Sequence, residues 1–307
     1  MDVHRLELLR ELSERGSITA VAQATHRTAS AVSQQLKVLE AEVGQKLIEA
    51  AGRGVVLTDA GRVLARAAAE LGLALARAEA TWDTYMGSAA GEVSMAIFPT
   101  AAQMLLAPVL DAVSAVDGLT LRAWGVDPTV DAFAELALDY DIVIGHSQRG
   151  AASWAGRDLV IEPLLTEPLD IALPIGHRLA ERAVLTAGDL ADETWIGVPL
   201  GAPFDWIVDE VAAINGRPAH VAHRFADTRV AESLVAGGHG IAVLPRYTTL
   251  RPESGVILKP LKGVRTIRHI MALMRPDRAE RLSVQSVVAA LRTVGRVVED
   301  RSRSHVG

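Results

Sequence analysis

The residue types that could do chemistry gather in two stretches of the chain. In the first, Ser30, Ser33, Gln34 and Lys37 recur at spacings that put them on one face of a helix. Serine and glutamine offer donors and acceptors that match base edges, and lysine suits a phosphate oxygen. Arg27 precedes this helix. Arg53 follows it, between Gly52 and Gly54 at the tip of a candidate ribbon, where a guanidinium can enter a minor groove or grip a phosphate. This is the chemistry of nucleic-acid recognition and not of bond making.

In the second stretch, the run Pro99-Thr100-Ala101-Ala102 follows an apolar strand and opens a helix. Thr100 and Ala101 therefore offer a hydroxyl and helix-start N–H groups suited to a carboxylate or other anion. Further strand ends supply Asp127, His146, Val198, the 199–204 loop ending in Phe204, and Thr228 with Arg229. Together they describe a cleft between two lobes, with Arg229 as the expected counter-ion of an anionic ligand.

Signals for catalysis are weak. There is no cysteine, so thiol nucleophiles, disulfides and Cys-ligated metals are excluded. His220 and His223 sit three apart on a candidate strand and face opposite sides of it. Gly237-Gly238-His239-Gly240 leads from a helix into a strand, the reverse of a dinucleotide-binding order. No catalytic residue, cofactor or metal is expected.

The chain that must position these groups has 307 residues, 50% of them hydrophobic and 22% charged, which is the profile of about two folded domains. Its net charge of −6 opposes DNA in bulk, so DNA binding must rest on a local feature. Residues 15–58 supply one: five basic residues stand against three acidic ones. The first residues lack the apolar core of a signal peptide and no apolar run is long enough to span a membrane, so a cytoplasmic protein without membrane contact is expected.

Three short helices come first. Leu6, Leu9 and Leu12 mark one that stops at Gly16, Ser17 can cap the next, and a third opens at Thr28 or Ser30 and ends near Gly44. A two-stranded ribbon around Gly52 and Gly54 completes a winged helix-turn-helix over residues 1–58. An Ala-rich helix follows within 59–90. Its Leu64, Ala68, Leu71, Leu75, Ala78, Trp82 and Tyr85 keep alternating steps of four and three, a heptad seam that needs a partner helix and predicts dimerisation. From 91 to 307 strands and helices alternate, predicting an α/β fold with a parallel sheet. The expected division is lobe one at about 91–163 and 268–301, and lobe two at about 164–267. Strands are expected at 93–98, 119–124, 141–144, 171–174, 195–198, 220–225, 241–244 and 267–274, and a terminal helix at 279–297.

The run from Gly16 to Ala22, Ser30-Ala31-Val32-Ser33-Gln34-Gln35-Leu36, Leu39-Glu40, Val43-Gly44 and Leu57-Thr58-Asp59-Ala60-Gly61 resemble the LysR-type transcriptional regulators. Asp141-Ile142-Val143-Ile144, His177-Arg178-Leu179-Ala180 and the run from Ala236 to Pro245 resemble that family's effector domain in order. The resemblance implies a winged helix-turn-helix, a dimerising linker helix and a two-lobed domain like type 2 periplasmic binding proteins. It also implies a homodimer or homotetramer on a promoter dyad of double-stranded DNA, RNA polymerase as a partner if the protein activates, and a small-molecule effector between the lobes. Two positions depart from the family pattern: Ala29-Ser30 stands where Gln-Pro is common, and Leu47-Ile48-Glu49-Ala50 lacks the usual aromatic and arginine. An effector-independent, nucleoid-type DNA-binding protein is the alternative reading.

Overall fold

The computed structural model describes residues 1–52, 54–249 and 254–305. Helix α1 (Val3–Arg15) starts where Asp2 accepts the His4 and Arg5 N–H groups, and Gly16, at φ 71°, turns the chain out of it. Ser17 caps α2 (Ile18–Ala24), and Thr28, of the two candidate starts, caps α3 (Ala29–Val43). The wing is an antiparallel pair, β1 (Ile48–Ala51) and β2 (Gly54–Leu57). Glu40 of α3 accepts the N–H groups of Leu47 and Ile48 at 2.8 and 3.1 Å, so the wing's base is tied to the helix beside it.

Helix α4 (Asp59–Met86) begins at Thr58, whose Oγ1 accepts from Gly61 N–H and donates to the Lys46 carbonyl. A Cβ at Gly61 would lie 2.1 Å from the Leu47 carbonyl oxygen, so this helix can approach the wing only with glycine there. Leu9, Val21, Val32, Leu36, Leu39 and Leu47 close over Ala65 and Ala68 of α4 to form the N-terminal core. Ala68 of the seam is spent on that core and Leu64 packs against it. Further along, Leu71, Leu75, Trp82 and Tyr85 are exposed, with the Trp82 and Tyr85 rings 5.7 Å apart.

Behind α4, strands β3 (Gly91–Ile97), β4 (Leu119–Gly125) and β5 (Ile142–Ser147) run parallel, with β3 between the other two. They alternate with helix α5 (residues 99–114, including a π-helical turn at Ala102–Leu106) and α6 (Val130–Leu136). Strand β6 (Val160–Pro174) then crosses into the second lobe, which holds β7 (Thr194–Gly197), α7 (Asp205–Asn215), β8 (His220–Arg224), α8 (Thr228–Ala236), β9 (Ala242–Pro245) and β10 (Val256–Lys259). Strand β11 (Ile267–Met274) returns, followed by α9 (Pro276–Glu280) and α10 (Leu282–His305), which packs back on lobe one.

Two expectations need correcting. The sheet is mixed: β11 lies antiparallel to β5 and β6, giving the order β9-β6-β11-β5-β3-β4. β6 spans fifteen residues instead of the expected 171–174. Among the described residues its positions 160–168 pair with β11 alone, so Pro163 and Pro168, which look like breakers, can face the unpaired edge, while residues 169–174 pair with β9 and β10.

Charges join the N-terminal domain to lobe one. Arg275, buried just after β11, reaches Glu11 of α1 at 2.7 Å and Glu14 at 3.0 Å. Arg10 meets Asp277 at 2.8 Å, and Arg15 meets Asp139 and the Leu138 carbonyl, both at 2.7 Å. Without Arg275, Glu14 keeps only Arg10 and Glu11 keeps only Arg15, each on its own helix α1, so the buried cation that ties α1 to lobe one is lost. Arg275→Met is expected to release the N-terminal domain, so that calorimetric unfolding splits into two transitions; a single unchanged transition would contradict this role.

Candidate functional site

On α3, Ser30, Gln34 and Lys37 are exposed and Ser33 is half-buried, so the face expected to read DNA is turned to solvent. Gln35 is occupied elsewhere: its Oε1 accepts from Arg5 Nε at 2.9 Å and helps hold α1 against α3. Arg27 is exposed at the turn before α3. Arg53 lies outside the described residues.

The second site is built where the two crossing strands pass between the lobes. Arg268 on β11 and Glu167 on β6 are directly opposed in the antiparallel register. Both are fully buried, and Arg268 Nε and Nη2 donate to Glu167 Oε2 at 2.8 and 2.5 Å. Glu167 Oε1 accepts the Tyr247 N–H. Nη2 of Arg268 also donates to Thr100 Oγ1 at 2.7 Å. The guanidinium carbon lies 5.0 Å from the Phe98 ring centroid of lobe one and 5.1 Å from that of Phe204 in lobe two. Such cation–π contacts strengthen when water is excluded.

Around this centre the sequence-predicted residues separate. Thr100, His146 and Phe204 come together: the His146 ring packs 4.5 Å from Phe98, which faces Arg268. Burial pushes His146 down to about 4, assisted by the Arg268 charge and opposed by Asp127, whose carboxylate is 3.9 Å away. The imidazole is therefore neutral near pH 7. Ala101 is buried in the core of lobe one. Val198, Phe204 and Thr228 line a crevice of about 10 Å³ in lobe two. Arg229 stays exposed at the rim and donates to Gln103 Oε1 across the mouth at 3.2 Å. The guanidinium inside is Arg268 and not Arg229.

Arg268, Glu167 and Phe98 escape the sequence reading. The available signal was a charged residue inside each of two apolar strands, Ile267-Arg268-His269-Ile270 and Leu164-Leu165-Thr166-Glu167, since a charge buried in a sheet needs a partner there. Among the described residues no group of three His, Asp or Glu side chains gathers as metal ligands, and no helix is long and apolar enough to cross a membrane.

A winged helix-turn-helix carried on a long helix ahead of a two-lobed α/β domain defines a transcriptional regulator of the helix-turn-helix class. Residues 3–62 match the bacterial regulatory helix-turn-helix protein, lysR family, and residues 86–296 match the LysR substrate binding domain. The chain belongs to the LysR family. It is 24% identical over 251 residues to the RuBisCO operon transcriptional regulator of Allochromatium vinosum, covering 81% of this chain and 80% of that one. It is 26% identical over 257 residues to the HTH-type transcriptional regulator MetR of Haemophilus influenzae, covering 81% and 79%. A full-length OxyR variant from Pseudomonas aeruginosa shares the fold with a TM-score of 0.61 at 17% identity, covering 95% of this chain and 98% of that one.

The lowered His146 value has a consequence for stability. Between pH 6.5 and about 4 the unfolded chain takes up a proton that the folded imidazole refuses, so stability falls as pH drops through this window. The slope contributed is up to about 1.4 kcal/mol per pH unit. His146→Gln is expected to flatten that part of the profile in urea denaturation; an identical slope would remove His146 as its source.

Proposed function

We propose that this regulator binds an interrupted promoter dyad in double-stranded DNA as a homodimer or homotetramer, and that a small anionic effector between the lobes alters its DNA contacts. The observation that carries the effector reading is the buried Arg268 held among Thr100, Glu167, Phe98 and Phe204 where the lobes meet. A side chain from each lobe touches one charged group, so a ligand there changes how the lobes sit together.

For DNA, Ser30, Ser33 and Gln34 supply base-edge groups, and Arg27, Lys37 and Arg53 supply phosphate contacts. The exposed Leu71, Leu75 and Trp82, continuing the seam from Leu64, support pairing of α4 with a second copy. Two modules on a two-fold axis call for two half-sites at least a helical turn apart. RNA polymerase is the further partner if the protein activates.

Quantitative binding on promoter and random DNA at several salt concentrations tests the first half. Gln34→Ala is expected to lower the ratio of promoter to random affinity, by about 1–3 kcal/mol per lost base contact. Lys37→Ala should weaken both equally and reduce the salt slope by about one per site. Equal affinity of the wild type for both DNAs would overturn the regulator reading.

Thr100→Val tests the second half. The hydroxyl belongs to the effector domain and not to the helix-turn-helix, so promoter affinity without effector is expected to be unchanged, while the effector-dependent shift in footprint disappears. A full response in this variant would remove Thr100 from effector recognition.

A further inference from the structure

Two buried donors at the lobe junction lack acceptors among the described residues. Arg268 spends Nε and Nη2 on Glu167 and Thr100, and its Nη1 makes no hydrogen bond with any described residue, although Arg268 is only 1% exposed. Thr100 Oγ1 accepts from Arg268 but donates to nothing among the described residues, and it too is buried. A buried donor without an acceptor is costly, and the group that satisfies both is one that only accepts.

The neighbourhood sets what such an acceptor is attached to. Phe204 covers the Arg268 guanidinium, and its φ of 81° is in the left-handed region that a non-glycine residue adopts at a cost of about 1–2 kcal/mol. Its loop is pinned at both ends: Arg224 Nη1 donates to the Val198 carbonyl and to Asp205, and Asp205 accepts the Gly201 N–H. The same ring also forms one wall of the crevice whose other walls include Val198, Val208, Phe225 and Val243, with Thr228 contributing a hydroxyl among them. At about 10 Å³ the crevice holds at most one water. The Phe204 ring thus separates a donor pair from an apolar hollow, and a turn of that ring joins them.

We infer that the site takes a monocarboxylate with a compact apolar body, its carboxylate on Arg268 Nη1 and the Thr100 hydroxyl and its body in the place vacated by the Phe204 ring. The inference rests on the effector reading above and makes it specific. Glu167 holds another edge of the guanidinium and aligns Arg268 for the ligand, and because it already balances the Arg268 charge, each negative charge the ligand carries beyond its one carboxylate is disfavoured. Dicarboxylates and phosphate esters are therefore disfavoured by their extra charge, and amides by a neutral carbonyl that accepts more weakly than a carboxylate and by an NH2 donor brought to a place that already has two donors.

The test uses the full-length protein and titration calorimetry with benzoate, phenylacetate and isovalerate, each against its amide, and with acetate and succinate. At least one of the three acids is expected to bind more than about tenfold tighter than its amide and than acetate or succinate, the difference expected for one unsatisfied buried donor. Phe204→Ala removes both the ring and its cover, and should tighten that acid by about tenfold. The double change Arg268→Gln with Glu167→Gln keeps the site neutral and removes the guanidinium, so acid and amide should then bind alike. Equal binding of acid and amide to the wild type, no acid bound by either the wild type or Phe204→Ala, or acid selectivity surviving the double change would overturn the inference.

Footprinting on promoter DNA in parallel separates this from the broader reading. An acid that binds as described but leaves the footprint unchanged keeps the site and defeats the effector role. A non-carboxylate that shifts the footprint without competing with benzoate keeps the effector role and defeats the carboxylate site.

Discussion

The Arg268–Glu167 pair is the constraint on which the two-lobed arrangement turns. Taking both charges out of water costs several kcal/mol per ion, and only close geometry with further hydrogen bonds offsets it. Here the offset draws on every part of the domain: the register of the two crossing strands sets the pair face to face, Thr100 comes from the start of α5, and the Tyr247 N–H comes from beyond β9. Phe98 and Phe204 close the two faces from opposite lobes. An apolar pair would pack there at less cost, but it would place no charge between the Phe98 and Phe204 rings.

The same logic governs the joint with the N-terminal domain, with a different balance. That joint is made by Arg10, Arg15 and Arg275 against Glu11, Glu14, Asp139 and Asp277, several of them only partly buried. Burial, with the neighbouring Glu11 and Asp277 charges, raises the Glu14 carboxyl above its ordinary value against the pull of Arg10. Ion pairs of this kind hold a geometry without the large apolar area of an obligate interface.

Most of the helical framework was legible because helix ends are written locally. Ser17, Thr28 and Thr58 cap as their types and positions imply, and Gly16 and Gly44 leave their helices in the left-handed region. Gly61 stands out in the motif for a reason visible only in three dimensions, the approach of α4 to the Leu47 carbonyl. The crossing strand was hidden because Pro163 and Pro168 are local breakers, whereas their tolerance depends on which edge of β6 is left unpaired. The candidate site at the lobe junction was half legible. Strand ends pointed to Thr100, His146 and Phe204, but a counter-ion chosen by proximity in sequence fell on Arg229, when the buried guanidinium arrives from a strand 39 residues later.

Strand β11 draws these two charged centres into one mechanical element. Arg268 stands near its start and Arg275 follows directly after its end, seven residues on and about 23 Å away at strand spacing. From His269 to Leu273 the strand is paired on both sides, with β5 and with β6, while Arg268 pairs with β6, and the register against β6 shifts once, between Ile270 and Met271. A strand held on both edges cannot stretch, so a displacement of its backbone at Arg268 either slides past that irregularity or moves Arg275. In the second case Glu11 and Glu14 on α1 must follow or lose their partner, and α1 packs on both α3 and α4. Strand β11 and Arg275 thus make one continuous covalent and ion-paired connection between the lobe junction and α1, beside the Arg10–Asp277 and Arg15–Asp139 pairs that join the same two domains.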